Sequence, residues 1–237
     1  GQNYTRGTGI RLDPSGNILS IGNFNSQADF DPGAGVVNLL PAPGAPDTYI
    51  LKLDPQGNYI WVKQLLGYGI ETSRSVAVDV FGSVYVAGWF NGPVDFDPGA
   101  ATLNVPNTSG FDGYLLKLDA VGDFAWLGHF EGSALEQAFA VFVDPASNVY
   151  TTGIFRATID FDFGTGISLL NAGPSDDAFV QKIGQCLMPP APNNTTIVNQ
   201  LTICEGSSAT LSATGFGTLA WYASPIGGMA LATGNSF

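Results

Sequence analysis

Basic side chains are scarce in this chain: eight lysines and arginines stand against 20 aspartates and glutamates, for a formal charge of −12. That balance excludes nucleic-acid binding by phosphate neutralisation and docking on an anionic membrane surface. Cations and neutral glycans are the partners it allows. The one histidine, His129, lacks the serine or cysteine context of a nucleophile elbow or a papain-like site, so it reads as a strand residue rather than a catalytic base. The two cysteines, Cys186 and Cys204, have no second pair at zinc spacing; one disulfide across a linker and separate partners elsewhere both stay open. No apolar run reaches the roughly 18 residues that a membrane-spanning helix needs. Gly1-Gln2-Asn3-Tyr4 is no signal peptide, so any export signal is expected outside this chain. Helix-period apolar stripes are also missing.

What is abundant is glycine, at 31 residues, with 15 prolines and 45% apolar side chains. Short strands joined by many turns follow from that mixture, and the expected fold class is all-β. A repeat organises the chain. Asp29-Phe30-Asp31-Pro32-Gly33 returns as Asp95-Phe96-Asp97-Pro98-Gly99 and as Asp160-Phe161-Asp162-Phe163-Gly164, at spacings of 66 and then 65 residues. A period of this size marks a repeat architecture in which each unit is one supersecondary element.

In register with it, Gly9 to Phe24 reads as strand, turn from Asp13 to Asn17, and strand, with further copies turning at Asp79 and Asp144. Asp at the head of the turn and Gly or Ser near its end suit a type I turn closed by a left-handed residue. A polar loop then leads to the apolar strands DTYILKLD (47–54), DGYLLKLD (112–119) and DAFVQKIG (177–184). The first two turn again into strands bearing Trp61 and Trp126. One period therefore holds four strands, the content of a propeller blade. Counting each blade from its apolar strand gives two full blades flanked by partial units.

Three of the four lysines, Lys52, Lys117 and Lys182, share one position in those apolar strands. A buried ammonium must be paired, so each is expected to lie between sheets against a recurrent aspartate or backbone carbonyls. The paired aspartates Asp29 and Asp31, Asp95 and Asp97, Asp160 and Asp162 are the candidate metal site. In an extended segment both carboxylates project to one side, about 7 Å apart, while the phenylalanine plugs the sheet on the other. Either calcium, completed by carbonyl oxygens, or turn capping by the carboxylates satisfies that arrangement. Acid–base catalysis would call for a carboxylate pair unique to one place, whereas these recur, so no catalytic residue is expected. Trp89 has no aromatic counterpart at Asn23 or Ile154 and is the aromatic to test for ligand contact.

The units DTYILKLDPQGNYIW and SVAVDVFGSVYVAGWF resemble the bacterial β-propeller repeat called SBBP, whose pattern runs D-x-F-V-x-K-L-D-x-x-G-N-x-x-W and then G-x-A-V-D-x-x-G-N-V-Y-V-x-G. The likeness covers residues 9 to 185 and departs at Gln181 and Gly184. It implies an extracellular, non-catalytic propeller of the kind found in large surface and secreted proteins that use type IX secretion. The domain plan expected is a propeller array over 1–186, a Pro-rich linker over 187–194, and the first part of an Ig-like domain over 195–237. In that last segment ICEGSSATLSATGFGTLAWYASPIGG is similar to bacterial surface Ig-like modules, with Cys204 and Trp221 at strand B and strand C positions. The function expected is a non-catalytic surface, structural or adhesion protein at the bacterial cell surface, partnered by other extracellular proteins, by further modules of its own polypeptide, or by glycans. The alternative is a glycan- or calcium-dependent binding module of a larger secreted enzyme.

Overall fold

The computed structural model describes residues 3–107, 110–132, 134–173 and 175–184, and the backbone of Ala220–Tyr222 and Ala230–Thr233. The chain divides into two units, Gly1–Gly184 and Gln185–Phe237. In the second, two short strands pair antiparallel; Cys186, Cys204 and the rest of the expected Ig-like strands lie outside the described residues. The first unit is all-β, and no helix occurs among its described residues.

It is built from three repeats in chain order, each a main sheet with a small two-stranded hairpin inserted in its sequence. The first holds β1 (Thr5–Leu12), β2 (Ile18–Phe24), a small hairpin of β3 (Ala28–Asp29) and β4 (Asn38–Leu39), then β5 (Asp47–Leu53) and β6 (Tyr59–Gly67), with β1, β2, β5 and β6 as neighbours. The second repeats this as β7 (Ile70–Val78), β8 (Val84–Asn91), the small pair β9 (Val94–Asp95) and β10 (Asn104–Val105), β11 (Asp112–Leu118) and β12 (Phe124–Phe130). The third holds β13 (Glu136–Val143), β14 (Val149–Phe155), the pair β15 (Thr158–Asp160) and β16 (Leu169–Asn171), and β17 (Asp177–Ile183).

This grouping differs from a count that starts at the apolar strand. β5 bonds to β2, which precedes it by a long loop, in register from Ile18↔Leu53 to Phe24↔Asp47. The two-residue link Tyr68-Gly69, by contrast, carries the chain from one sheet to the next. The end of β6 is taken instead by β9 of the following repeat, through Gly67↔Val94 and Leu66↔Asp95. Each small hairpin is thus an insert within a sheet, and the one in the second repeat also ties that repeat to the sheet before it.

Tight turns define the hairpins as their sequences require. Asp13 Oδ1 accepts the N–H groups of Ser15 and Asn17, each at 2.9 Å. Asp54, Asp79, Asp119 and Asp144 do the same for the residues two and four further on. The fourth residue of each turn has positive φ, at Gly16, Gly57, Gly82, Gly122 and Ser147.

The sheets stack because their central strands are apolar on both faces. Ile50, Leu65 and Ile21 of the first sheet meet Val76, Val86 and Leu116 of the second. The neighbouring residues Ala77, Ala87 and Leu115 point the other way, against Val141, Val149 and Phe179 of the third. Each such side chain contributes about 1.5–3 kcal/mol by leaving water. Small polar contacts fix the spacing: Thr8 Oγ1 meets Ser73 Oγ at 3.1 Å, and Ser75 Oγ accepts the Val141 N–H at 3.1 Å.

The shared lysine position behaves differently in each repeat. Lys52 Nζ sits 2.9 Å from Asp13 Oδ2, both side chains nearly inaccessible at 7% and 4% exposure, and donates to Ala120 O of the next repeat at 3.2 Å. Burial pushes Asp13 up, but hydrogen bonds from Lys52 and Asn17 outweigh it and hold the carboxyl below its usual range. Lys117 is half-buried over the Tyr85 ring, 5.1 Å from its centroid. Lys182 is exposed, contrary to expectation, because the described residues place no sheet over that face. Lys52→Met is expected to cost about 3–5 kcal/mol by stranding the Asp13 charge, while Lys182→Met leaves the urea midpoint within about 0.5 kcal/mol of its starting value. Equal losses at both positions would contradict this account.

Candidate functional site

The DFDPG segments fold alike in all three repeats. Asp29 Oδ1 accepts the N–H groups of Asp31 at 3.0 Å and Val37 at 2.8 Å, and Asp31 Oδ1 accepts that of Gly33 at 2.7 Å. Asp95 binds Asp97 and Leu103 in the same way, and Asp97 binds Gly99. Asp160 binds Asp162 and Ser168, and Asp162 binds Gly164. Those backbone donors hold Asp29 and Asp160 below the usual carboxylate range. One oxygen of each aspartate is therefore engaged in closing its own loop, and the six carboxylates lie in three separate hairpins.

The phenylalanines between them face the opposite way and are buried. Phe30 packs edge-on against Phe24 at 5.4 Å and lies 4.8 Å from Tyr49. Phe96 repeats this with Phe90 and Tyr114, and Phe161 with Phe155 and Phe179. In the third copy Phe163 replaces proline and adds a contact with Phe130 at 4.9 Å. The hairpin is a plug for its sheet.

A second acidic arrangement recurs where one sheet meets the next. Asp47 at the start of β5 and Glu71 near the start of β7 are both buried, as are Asp112 and Glu136 one repeat later. Gln64 donates to Asp47 Oδ2. At the equivalent place His129 Nε2 lies 2.9 Å from Asp112 Oδ2. Burial first, and then the facing Asp47, raises Glu71 to about 9; burial and Asp112 raise Glu136 to about 7. The sequence contains this signal as an acid 24 positions after the aspartate that opens each apolar strand, but Thr5 breaks it in the first repeat. His129 is thereby a packed strand residue, 5.4 Å from the Phe90 ring. Trp89 stacks edge-on with Phe111 at 4.7 Å, with its indole N–H buried and without a hydrogen bond. Among the described residues no group of three or more His, Cys, Asp or Glu side chains converges at metal-ligand spacing.

Residues 189–237 match the Ig-like domain family described as CHU_C associated. The chain is also similar, at 30% identity over 162 residues, to an uncharacterized WD repeat-containing protein of Acanthamoeba polyphaga mimivirus, a match covering 64% of this chain and 12% of that protein. It is 25% identical over 150 residues to the regulatory protein FlaEY of Caulobacter vibrioides, covering 63% of this chain and 15% of the relative. The chain thus spans well under a fifth of the length of these relatives. Stacked antiparallel repeats, the first two with four main strands and the third with three among the described residues, and a segment after them that matches an Ig-like family make this a β-repeat protein of propeller-like build.

Proposed function

We propose that the chain is a non-catalytic module of an extracellular bacterial surface protein, in which SBBP-type blades and Ig-like domains present binding surfaces or build an assembly. The observation that carries this reading is the contrast between equivalent residues along the array. Ile50 and Leu115 are fully buried under the next sheet, whereas Val180, at the same repeat position, is 80% exposed. At the other end Ile10 is 61% exposed where its counterpart Val76 is 1% exposed. Both outer faces are of the kind that further repeats cover, which suits a module within a longer architecture. The likeness to CHU_C-associated Ig-like domains supports a surface setting, and the length of the relatives supports a multi-module protein.

Antibody against the chain is expected to label intact, unpermeabilised cells that produce it; label seen only after lysis would remove the extracellular reading. The two faces also make a direct prediction. Leu115→Asp is expected to abolish folding, with a loss above about 4 kcal/mol, while Val180→Asp leaves stability nearly unchanged and lowers concentration-dependent association in sedimentation velocity. Equal sensitivity at the two positions would mean that the Val180 face is already covered in solution.

A further inference from the structure

We propose that each junction between sheets binds a hard cation, held by Asp47 and Glu71 at the first junction and by Asp112 and Glu136 at the second. Four observations converge. Glu71 is 1% exposed and Glu136 fully buried, yet no oxygen of either carboxylate, nor Asp47 Oδ1, has a hydrogen bond of good geometry; the nearby backbone N–H groups of Gly69 and Ala134 only partly offset their burial. Gln64 and His129 turn one oxygen of each aspartate toward themselves, which at Asp47 leaves the other for a different partner. The described lysine and arginine ion pairs are made elsewhere, Lys52 with Asp13, Lys63 with Asp123 and Arg156 with Asp176. The glutamates lie against Gly67 and Gly132, where any Cβ would collide with Oε1; a bare backbone is kept at both places.

The repeat pattern ties the pairs to the junctions rather than to the sheets. Where no preceding sheet is described, the glutamate position is Thr5. Where no following sheet is described, Asp177 remains on β17 as an exposed residue. Two buried carboxylates brought together repel strongly at low effective dielectric, and leaving them uncompensated is costly. A calcium-like ion removes the repulsion and satisfies the orphaned oxygens together, main-chain carbonyls and water completing its shell as hard cations require. The ion would act as a staple between consecutive sheets, and the site stands whether or not the chain is exported.

The test uses the full chain with calcium as the probe. Isothermal titration is expected to show two bound ions, and a hundredfold excess over the dissociation constant to raise the melting temperature by roughly 5–10 °C relative to EDTA. Glu71→Gln with Glu136→Gln removes the buried repulsion, so this variant is expected to melt higher than the parent in EDTA and to lose the calcium response. Asp29→Asn, Asp95→Asn and Asp160→Asn together keep that response. Identical melting in calcium and EDTA with no titration heat overturns the proposal, whatever acid alone does to stability. A stoichiometry of three, or a response abolished by the Asp29, Asp95 and Asp160 changes but kept by the glutamine variant, moves the ion to the DFDPG hairpins and equally overturns it. Should either variant fail to fold, the two-against-three stoichiometry of the unaltered chain decides.

Discussion

Gly88→Ala is expected to unfold the protein. Gly88 pairs with Ser73 on one side, next to the bulge between Ser73 and Ser75, and with Tyr114 on the other. A Cβ there would run into the Thr72 carbonyl oxygen and stand 2.8 Å from the Tyr114 ring. The same geometry holds at Gly22, between Arg6 O and Tyr49, and at Gly153, between Gln137 O and Phe179. In each repeat an aromatic ring from the apolar strand lies across a bare glycine, filling the space its missing side chain leaves, and the plug phenylalanine packs on that ring. Overpacking a buried site costs about 1–3 kcal/mol when side chains can move aside. Here the obstacle is backbone in the middle of the unit, so a loss of about 4 kcal/mol or more is expected. Loss of soluble protein, or a collapse of the urea midpoint, would report it. Replacing Tyr114 by leucine in the same chain should not rescue folding, because the Thr72 carbonyl remains. Gly184→Ala, whose nearest neighbour would be Asn148 at 3.8 Å, serves as the control and should change stability by less than about 0.5 kcal/mol.

These glycines also show what the sequence makes legible. Period-two alternation and aspartate-headed turns encode strand and hairpin directly, because both depend on residues close in sequence. The DFDPG phenylalanine as an inward plug follows from the same alternation. Partnership between strands is not encoded that way. The two-residue link Tyr68-Gly69 has the length of a hairpin turn, yet it crosses between sheets, while the long loop from Phe24 to Asp47 stays within one. The reason is that β9, only two residues long, occupies the end of β6. Pairing so short has no periodicity to read. The aspartate–glutamate junctions were hidden for a related reason: their two members belong to different sheets, and only stacking brings Glu71 to Asp47. The exposure of Lys182 likewise reflects its neighbours rather than its own strand.

The junction carboxylates should give the protein an unusual dependence on pH when metal is chelated. Glu136 ionises near 4.5 when unfolded but at about 7 in the folded chain, and Glu71 at about 9. Between pH 4.5 and 7 the unfolded state has released the Glu136 proton and the native state has not, so stability falls as pH rises. Its contribution is complete below 4.5 and is lost through 7; that of Glu71 continues to be lost through 9. Allowing for screening, Glu136 alone accounts for a loss on the order of 2–3 kcal/mol, or roughly 5–10 °C in melting temperature for a chain of this size. On the acid side the sign reverses. Asp13, Asp29, Asp54, Asp144 and Asp160 are held below 3.8 by the fold, so their contribution is present above that value and is lost as pH falls. Maximum stability in EDTA is therefore expected near pH 4. Circular-dichroism melts from pH 3 to 9 would check it: Glu136→Gln should flatten the slope between 5 and 7, and Glu71→Gln that between 7 and 9. A melting temperature that climbs from pH 5 to 8 in chelator would mean that these carboxylates enter the fold already ionised and paired, which their burial and the facing Asp47 and Asp112 argue against, since these outweigh the nearby backbone N–H groups of Gly69 and Ala134.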